Sequence, residues 1–343
     1  MRNILITGGA GFIGINTAMH FLEKNDNVFI LDNCSRKGTE YNIKLLKKKF
    51  PRVNFTLGDI RDNKKVEEAA KGKDIILHFA GQVAVTTSVF NPREDFEINA
   101  LGTLNVLEAM RKYSPKAILL YTSTNKVYGG MEGEKIIKNE KRYAFKDLPF
   151  GISEKYPLDF HSPYGCSKGS ADQYVRDFAR IYDLKTIVFR QSCIYGPYQF
   201  GIEDQGWVAW FVIAALLGKK ISIYGDGKQV RDILFIGDLI DAYEKAIDNI
   251  KVTKGKIYTI GGGRKFSISV WEEFQPILEK KLKKKIKFAK ADWRPGDQLI
   301  YISDIRKAKQ DFQWSPKTKP EDGISELIDW ADANLEIIKK VML

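Results

Sequence analysis

The chain is poor in the residues that build metal and disulfide sites. It has 3 cysteines and 3 histidines in 343 residues. Cys34, Cys166 and Cys193 are too few and too scattered for a disulfide framework or zinc-type spacing, so no metal is expected. No apolar run reaches the roughly 18 residues that a membrane span requires. The opening Met1-Arg2-Asn3-Ile4-Leu5-Ile6 runs directly into a strand pattern and does not read as a cleaved leader. A cytoplasmic protein with no membrane partner is the expectation. Internal repeats and low-complexity linkers are missing as well, which excludes solenoids and tethered modules.

Charge is in excess on one side. The 55 Lys and Arg outnumber 43 Asp and Glu, for a net +12. The surplus is spread out, with local runs at Lys47-Lys48-Lys49 and from Lys280 to Lys287. The second run, broken by Leu282 and Ile286, reads as a solvated helix end leading into a strand rather than a nucleic-acid surface. Hydrophobic residues make up 44% and charged residues 29%. That is the balance of a globular chain long enough for one large or two coupled domains.

What is present is strand-then-helix alternation, with chemistry at the strand ends. Asn3 to Thr7 is an apolar run that stops at Gly8-Gly9-Ala10-Gly11-Phe12-Ile13-Gly14, and a helix pattern follows to Lys24. Gly8, Gly11 and Gly14 permit a tight turn, close backbone approach to a pyrophosphate and close helix packing. A second strand, Asn27 to Leu31, ends at Asp32, 18 residues beyond Gly14. That spacing suits a carboxylate that accepts from ribose hydroxyls and repels a 2′-phosphate, favouring NAD over NADP. Arg36 and Lys37 leave the phosphorylated form open. Val53 to Leu57 leads to Asp59-Ile60, and Asp74 to Phe79 leads to Ala80-Gly81-Gln82. A helix from about Glu94 through Asn99 to Arg111 comes next. Ala117 to Thr122 then delivers Ser123-Thr124-Asn125-Lys126. A doubly wound parallel α/β sheet is expected, with ligands beyond the carboxyl ends of its strands.

Gly130 to Pro163 is polar and reads as a long loop over the site. A helix follows, from Tyr164 to about Tyr182. Tyr164 and Lys168 are four apart, so they share one face of it. An ammonium near a phenol favours the phenolate, which would make Tyr164 a general base near neutral pH. Thr124 would hold the same substrate hydroxyl. The segment Gln191 to Gln205 reads as irregular, Gly206 to Leu217 as helix and Lys220 to Tyr224 as strand. A helix is expected from Asp238, and a last one from Pro320 to Lys339. Trp207, Trp210 and Phe211 have helical spacing and read as core.

With the glycine turn, Asp32, Asp59, Thr124, Tyr164 and Lys168 in place, the chain resembles the extended short-chain dehydrogenases/reductases of the nucleotide-sugar epimerase/dehydratase family. Within it, the likeness is strongest to 2-epimerases of CDP-linked paratose and tyvelose. It is carried by Ala80 to Ala84 with Thr86-Thr87-Ser88, Ser123 to Gly129, Asp159 to Pro163, Ala171 to Tyr174, Asp204 to Trp207, and Gly227 to Asp232. The resemblance implies a Rossmann-type sheet with a smaller, interleaved C-terminal substrate-binding α/β region. Residues 1–190 with about 233–262 would bind NAD, and about 191–232 with 263–343 the nucleotide sugar.

It implies tightly bound NAD⁺, held by Gly8, Gly11, Phe12, Ile13, Gly14, Asp32, Asn33, Ser35, Arg36, Asp59, Ile60, Ala80, Gly81, Gln82, Asn99, Thr122, Ser123, Tyr164 and Lys168. Substrate contacts would come from Gln82, Thr87, Thr124, Asn125, Lys126, His161, Ser192, Cys193, Gln205, Gly206, Arg231 and Arg294. A CDP- or GDP-hexose would be epimerised at C2 through a 2-keto sugar. Asn125 and Lys126 replace the acid pair of related 4,6-dehydratases and argue against dehydration. Cys193 stands where many relatives have asparagine and reads as a small buried hydrophobe. For Gln82, Thr87 and His161 a purely structural role stays open. Other readings are a 2-epimerase of CDP- or GDP-glucose, a UDP-sugar 4-epimerase, and a non-catalytic NAD-binding regulator or scaffold. A homodimer or homotetramer is expected, paired through the helices near Asn99 to Arg111 and Tyr164 to Tyr182.

Overall fold

The computed structural model describes residues 1–293 and 297–342. Seven parallel strands form the main sheet. From one edge they run Lys256–Ile260, Lys185–Gln191, Ile118–Thr124, Ile75–His78, Asn3–Thr7, Asn27–Asp32 and Asn54–Leu57. Strands covered on both faces need apolar residues on both, so Ile4-Leu5-Ile6, Ile75-Ile76-Leu77 and Leu119-Leu120-Tyr121 are buried without alternation. The chain order reverses between Asn3–Thr7 and Ile75–His78, and a crevice opens at such a switch point beyond the strand ends.

A smaller α/β region is built around Val230–Phe235. That strand pairs in parallel with Cys193–Tyr195 and Ile300–Tyr301, and antiparallel with Ser267–Ser269. It precedes the last main-sheet strand, Lys256–Ile260, so the two sheets interleave along the chain. Sequence patterning missed this strand. All six of its residues are buried, including Arg231 and Asp232, so neither alternation nor a continuous apolar run marks it. Cys193–Tyr195, read as irregular, is a strand for the same pairing reason. Within the expected long loop, Ile136–Lys138 and Tyr143–Phe145 form a hairpin. The expected last helix is two, Pro320–Ala333 and Leu335–Met342, with Asn334 between them.

The expected helix through Asn99 is also interrupted. It runs as Pro92–Phe96, a wider π turn at Glu97–Leu101, and Gly102–Tyr113. Such turns are rare and favour functional positions.

One ion pair ties a strand, a helix and a turn together. Arg190, on Lys185–Gln191, donates to both carboxylate oxygens of Asp172 at 2.9 Å, and to the Tyr128 hydroxyl at 3.0 Å. Asp172 lies on the helix Ser162–Ile181, and Tyr128 closes the short turn Asn125–Tyr128. Both charged groups are buried. Removing one partner strands the other charge in a medium that solvates it poorly. Asp172→Ala is therefore expected to lower unfolding free energy by about 3–5 kcal/mol, measured by chemical denaturation. A loss within the range of surface substitutions would show that water reaches Arg190.

Candidate active site

The first strand delivers its chain into a turn that only glycine fits. Gly8 has φ 71°. A Cβ there would lie 2.6 Å from the Ala80 nitrogen, and one on Gly14 would lie 2.3 Å from the Gly8 carbonyl oxygen. The helix Phe12–Glu23 starts at Gly11 with no side-chain cap and no acid in its first turn. The N–H groups of Phe12, Ile13 and Gly14 therefore have no intrahelical partner and present a positive end to an anion.

Asp32 closes the neighbouring strand. Its oxygens accept from Ala10 N at 3.0 Å and Cys34 N at 2.8 Å. Burial pushes its pKa up against those hydrogen bonds. A carboxylate has about four lone-pair sites, so acceptor capacity remains for a ribose. Asn33 links this rim to the next strand by donating to Asp59 at 2.9 Å, and its own Oδ1 accepts from Ser35 N at 3.1 Å. Asp59 is clamped by Arg61 through 3.0 and 2.8 Å bonds, which hold its pKa down to about 2. Its carboxylate is thus committed to the rim. The Ile60 side chain is buried against Gly102, and its carbonyl accepts from Asn105 Nδ2 at 2.9 Å. Glycines placed where a Cβ would strike backbone, an uncapped helix end and a carboxylate at the second strand end together fit a dinucleotide.

The π turn fixes the next wall. Asn99 Oδ1 accepts from Gln82 N at 3.0 Å, and its Nδ2 is within 3.1 Å of Gln82 O, Asp95 Oδ1 and Ser167 Oγ. A Cβ on Gly81 would meet Asn99 Oδ1 at 2.9 Å. Gln82 spends its amide on Ala84 and Asp95. It serves the loop here, not an open cavity. Asp95 and Ser167 were not singled out from sequence. Ser167 lies inside Tyr164-Gly165-Cys166-Ser167-Lys168 and could have been found there; nothing in the sequence marks Asp95.

The strand Ile118–Thr124 and the helix Ser162–Ile181 bring Thr124, Tyr164 and Lys168 together. Tyr164 is 8% exposed, with Thr124 close enough to its hydroxyl to affect its titration. Burial pushes the Tyr164 hydroxyl up to about 12. Thr124 pulls it back, Asp95 adds to the rise, and Arg36 opposes it. The expected lowering by Lys168 does not occur in the protein itself. The Lys168 ammonium points instead to the Thr122 carbonyl at 2.6 Å and sits over the Tyr121 ring, 4.3 Å from its centroid. Burial brings Lys168 down to about 7, with Asp172 and Asp95 opposing. Thr122 donates its hydroxyl to His78 O at 3.2 Å, and Ser123 Oγ is buried with no hydrogen-bond partner among the described residues. Ala80 N bonds Thr7 Oγ1 at 3.3 Å.

The other wall comes from the smaller region. Arg231 donates to Asp297 at 2.7 Å. Lys126 has no side-chain hydrogen bond among the described residues; burial, then Arg231, brings it down to about 8. Cys193 lies near Lys126, and Ser192 donates to Asp232 O at 3.2 Å. Gln205 accepts from Arg36, which joins the cofactor rim to the substrate side. Gly206 has φ 73° and starts Trp207–Leu216. Trp207 packs with Phe211 and Phe274 at centroid distances of 5.6 and 5.1 Å, as core. Thr87 and His161 are exposed, and His161 makes no cap bond although it precedes the Tyr164 helix. Arg294 lies outside the described residues.

Gly14→Ala is expected to cut the dinucleotide content of the purified protein at least about tenfold, measured by acid release and chromatography. An unchanged content would mean that the turn does not cradle a pyrophosphate.

Comparison with known proteins agrees with this geometry. Residues 5–327 match the family described as GDP-mannose 4,6 dehydratase. The chain is 43% identical over 337 residues to CDP-paratose 2-epimerase of Salmonella typhi, covering 96% of this chain and 99% of the relative. It superposes on UDP-glucose 4-epimerase of Thermotoga maritima, solved with UDP-glucose, with TM-score 0.83 and 30% identity over 97% and 99% of the two chains. A dTDP-glucose 4,6-dehydratase of Streptomyces venezuelae, solved with NAD bound, gives TM-score 0.85 and 28% identity over 99% of each chain. The chain belongs to the NAD-dependent epimerase/dehydratase family of extended short-chain dehydrogenases/reductases, enzymes that act on nucleotide-linked sugars.

Proposed function

We propose that the protein is an NAD-dependent 2-epimerase of a CDP-linked hexose of the paratose/tyvelose type. The observation that carries this reading is the end-to-end 43% identity to CDP-paratose 2-epimerase. Position 125 supports it, because an amide there cannot supply the acid that water elimination needs. The second reading, a UDP-sugar 4-epimerase, is favoured by the likeness to the Thermotoga enzyme and needs the same Thr124, Tyr164 and Lys168. A 2-epimerase of CDP- or GDP-glucose differs in tolerance of the deoxy positions and, for GDP-glucose, in the base recognised.

In the proposed reaction NAD supplies reversible hydride transfer, so C2 passes through a ketone and regains either configuration. The protein's own groups do the rest. The smaller region with Arg231 and Arg294 takes the diphosphate, a bidentate task for guanidinium. Lys126 and Ser192 face the sugar. Thr124 orients the reacting hydroxyl, and Tyr164 removes and returns its proton. Lys168 keeps positive charge beside the site at the Thr122 carbonyl.

Incubation with CDP-paratose, CDP-tyvelose, CDP-glucose, GDP-glucose, UDP-glucose and UDP-galactose, followed by proton NMR, tests the reading. Expected are changed H1–H2 and H2–H3 couplings in a CDP sugar with the H3–H4 coupling retained. Conversion of UDP-glucose to UDP-galactose alone would replace it with the 4-epimerase. Tyr164→Phe should lower turnover by roughly 10²–10⁴-fold. Because the base must lose its proton, wild-type rate should rise with pH through the coupled titration of Tyr164 and Lys168.

We further propose that two copies pair across Val85–Phe90, Pro92–Phe96 and Ser162–Ile181. Phe90 is 89% exposed there, Phe96 55% and Ile181 66%, an apolar face that a second copy would cover. Light scattering should give at least twice the 39.1 kDa chain mass, and a strictly monomeric mass would exclude this pairing.

A further inference from the structure

Beside Lys256–Ile260, the edge strand of the main sheet, lies a cavity of about 360 Å³. None of the residues assigned to cofactor or sugar lines it. Small-molecule sites begin at roughly 300 Å³. The lining carries five cations, Lys155, Arg176, Arg190, Lys256 and Lys307, against one acid, Glu154. They converge from the loop before the Tyr164 helix, from that helix, from two strands of the main sheet and from the helix Arg306–Phe312.

Most of these groups are already committed. Arg190 is held by Asp172. Lys256 Nζ pairs with Asp311 at 2.8 Å. Lys307 Nζ donates to the Ile257 carbonyl at 2.6 Å, which leaves its charge without an acid. Glu154 accepts from Thr259 N at 2.8 Å and Thr259 Oγ1 at 3.1 Å. The side chains of Lys155 and Arg176 make no hydrogen bond or ion pair among the described residues, although Arg176 is half-buried. Burial, then the charges of Arg180 and Arg190, pull the Arg176 guanidinium below its usual range, and Asp172 opposes them. Like charges gathered round one cavity repel, and an anion that enters relieves the repulsion.

We propose that this cavity is a second anion site, which takes a phosphate dianion, either free or as the terminal group of a small monoester. Arg176 offers a planar fork of donors, and Lys155 and Lys307 offer point charges. Phosphate presents oxygens in several directions to such a set, whereas a carboxylate presents two in one plane. The bound anion would join the Tyr164 helix to the edge strand and to Arg306–Phe312, beside the Arg190–Asp172 pair.

The test is a phosphorus NMR titration of the NAD-loaded protein with inorganic phosphate in a chloride buffer. No sugar nucleotide takes part, so the outcome is independent of the reaction proposed above. Saturable binding is expected, with a dissociation constant at or below about 1 mM. Arg176→Gln should weaken it at least about tenfold. Lys155→Glu, a change at an exposed position, should weaken it at least about fivefold and keeps the test available if Arg176→Gln fails to fold. Arg231→Gln, which removes a guanidinium from the substrate side, should leave it unchanged. Ribose 5-phosphate distinguishes the two sources: binding as tight as phosphate or tighter assigns a monoester, and weaker binding assigns the free ion. Absence of saturation by about 10 mM phosphate, affinity unmoved in a folded Arg176→Gln or Lys155→Glu variant, or loss of binding in Arg231→Gln would overturn the proposal.

Discussion

The contact on which the candidate active site depends is the one between the Lys168 ammonium and the carbonyl of Thr122. Burying an ammonium is expensive unless it is paired, and among the described residues no carboxylate forms an ion pair with this one. Among the described residues it meets the Thr122 carbonyl and the face of Tyr121. The amine therefore titrates near neutrality, and Asp172 and Asp95 moderate the penalty from a distance. The same burial drives Tyr164 the opposite way, since a phenolate is as poorly solvated there as an ammonium. A low-dielectric pocket thus holds two groups close to their neutral forms. Charge brought in by a cofactor or substrate has more effect there than it would in water.

That pocket needs walls that do not move. The wider turn at Glu97–Leu101 carries Asn99 into the loop after Ile75–His78, where it binds both faces of the Gln82 peptide. Asp95 and Ser167 brace Asn99 from behind. The buried Arg190–Asp172 pair locks the Tyr164 helix to the sheet and to the turn that follows Thr124. Packing alone would allow the helix to slide. A bidentate ion pair with an attached tyrosine hydroxyl leaves it one register.

The main sheet was legible because its signals are local. Gly8 to Gly14 follows a strand and opens a helix, and each later strand ends in a polar segment. Thr124, Tyr164 and Lys168 were legible as residue types, and they do converge. The direction of the Lys168 side chain was not, because sharing a helical face does not determine which atom an ammonium meets first. Val230–Phe235 was hidden because Arg231 and Asp232 are buried by partners distant in sequence, Asp297 for the first, and Gly263 with Ser303 for the second. Gln298 was invisible for the same reason. It donates to the Gly129 carbonyl at 2.6 Å and accepts from Asn125 Nδ2 at 3.1 Å, partners 169 and 173 residues away, and a glutamine in a loop has no pattern of its own.

The amide at position 125 then explains more than a missing acid. A carboxylate there could not donate to the Gln298 oxygen, and Gln298 could not reverse without leaving the buried Gly129 carbonyl unsatisfied. An unmade buried hydrogen bond costs about 1–3 kcal/mol. The two amides therefore specify each other. A negative charge next to Thr124 would also raise Tyr164 further, away from the range useful for the base proposed there. Lys126 completes the argument, since an ammonium beside Arg231 places positive charge where the proposed diphosphate must arrive. Uncharged amides stand beside Thr124, and positive charge stands at the rim. That arrangement suits moving one proton and one hydride at a single carbon, and it is ill suited to expelling water.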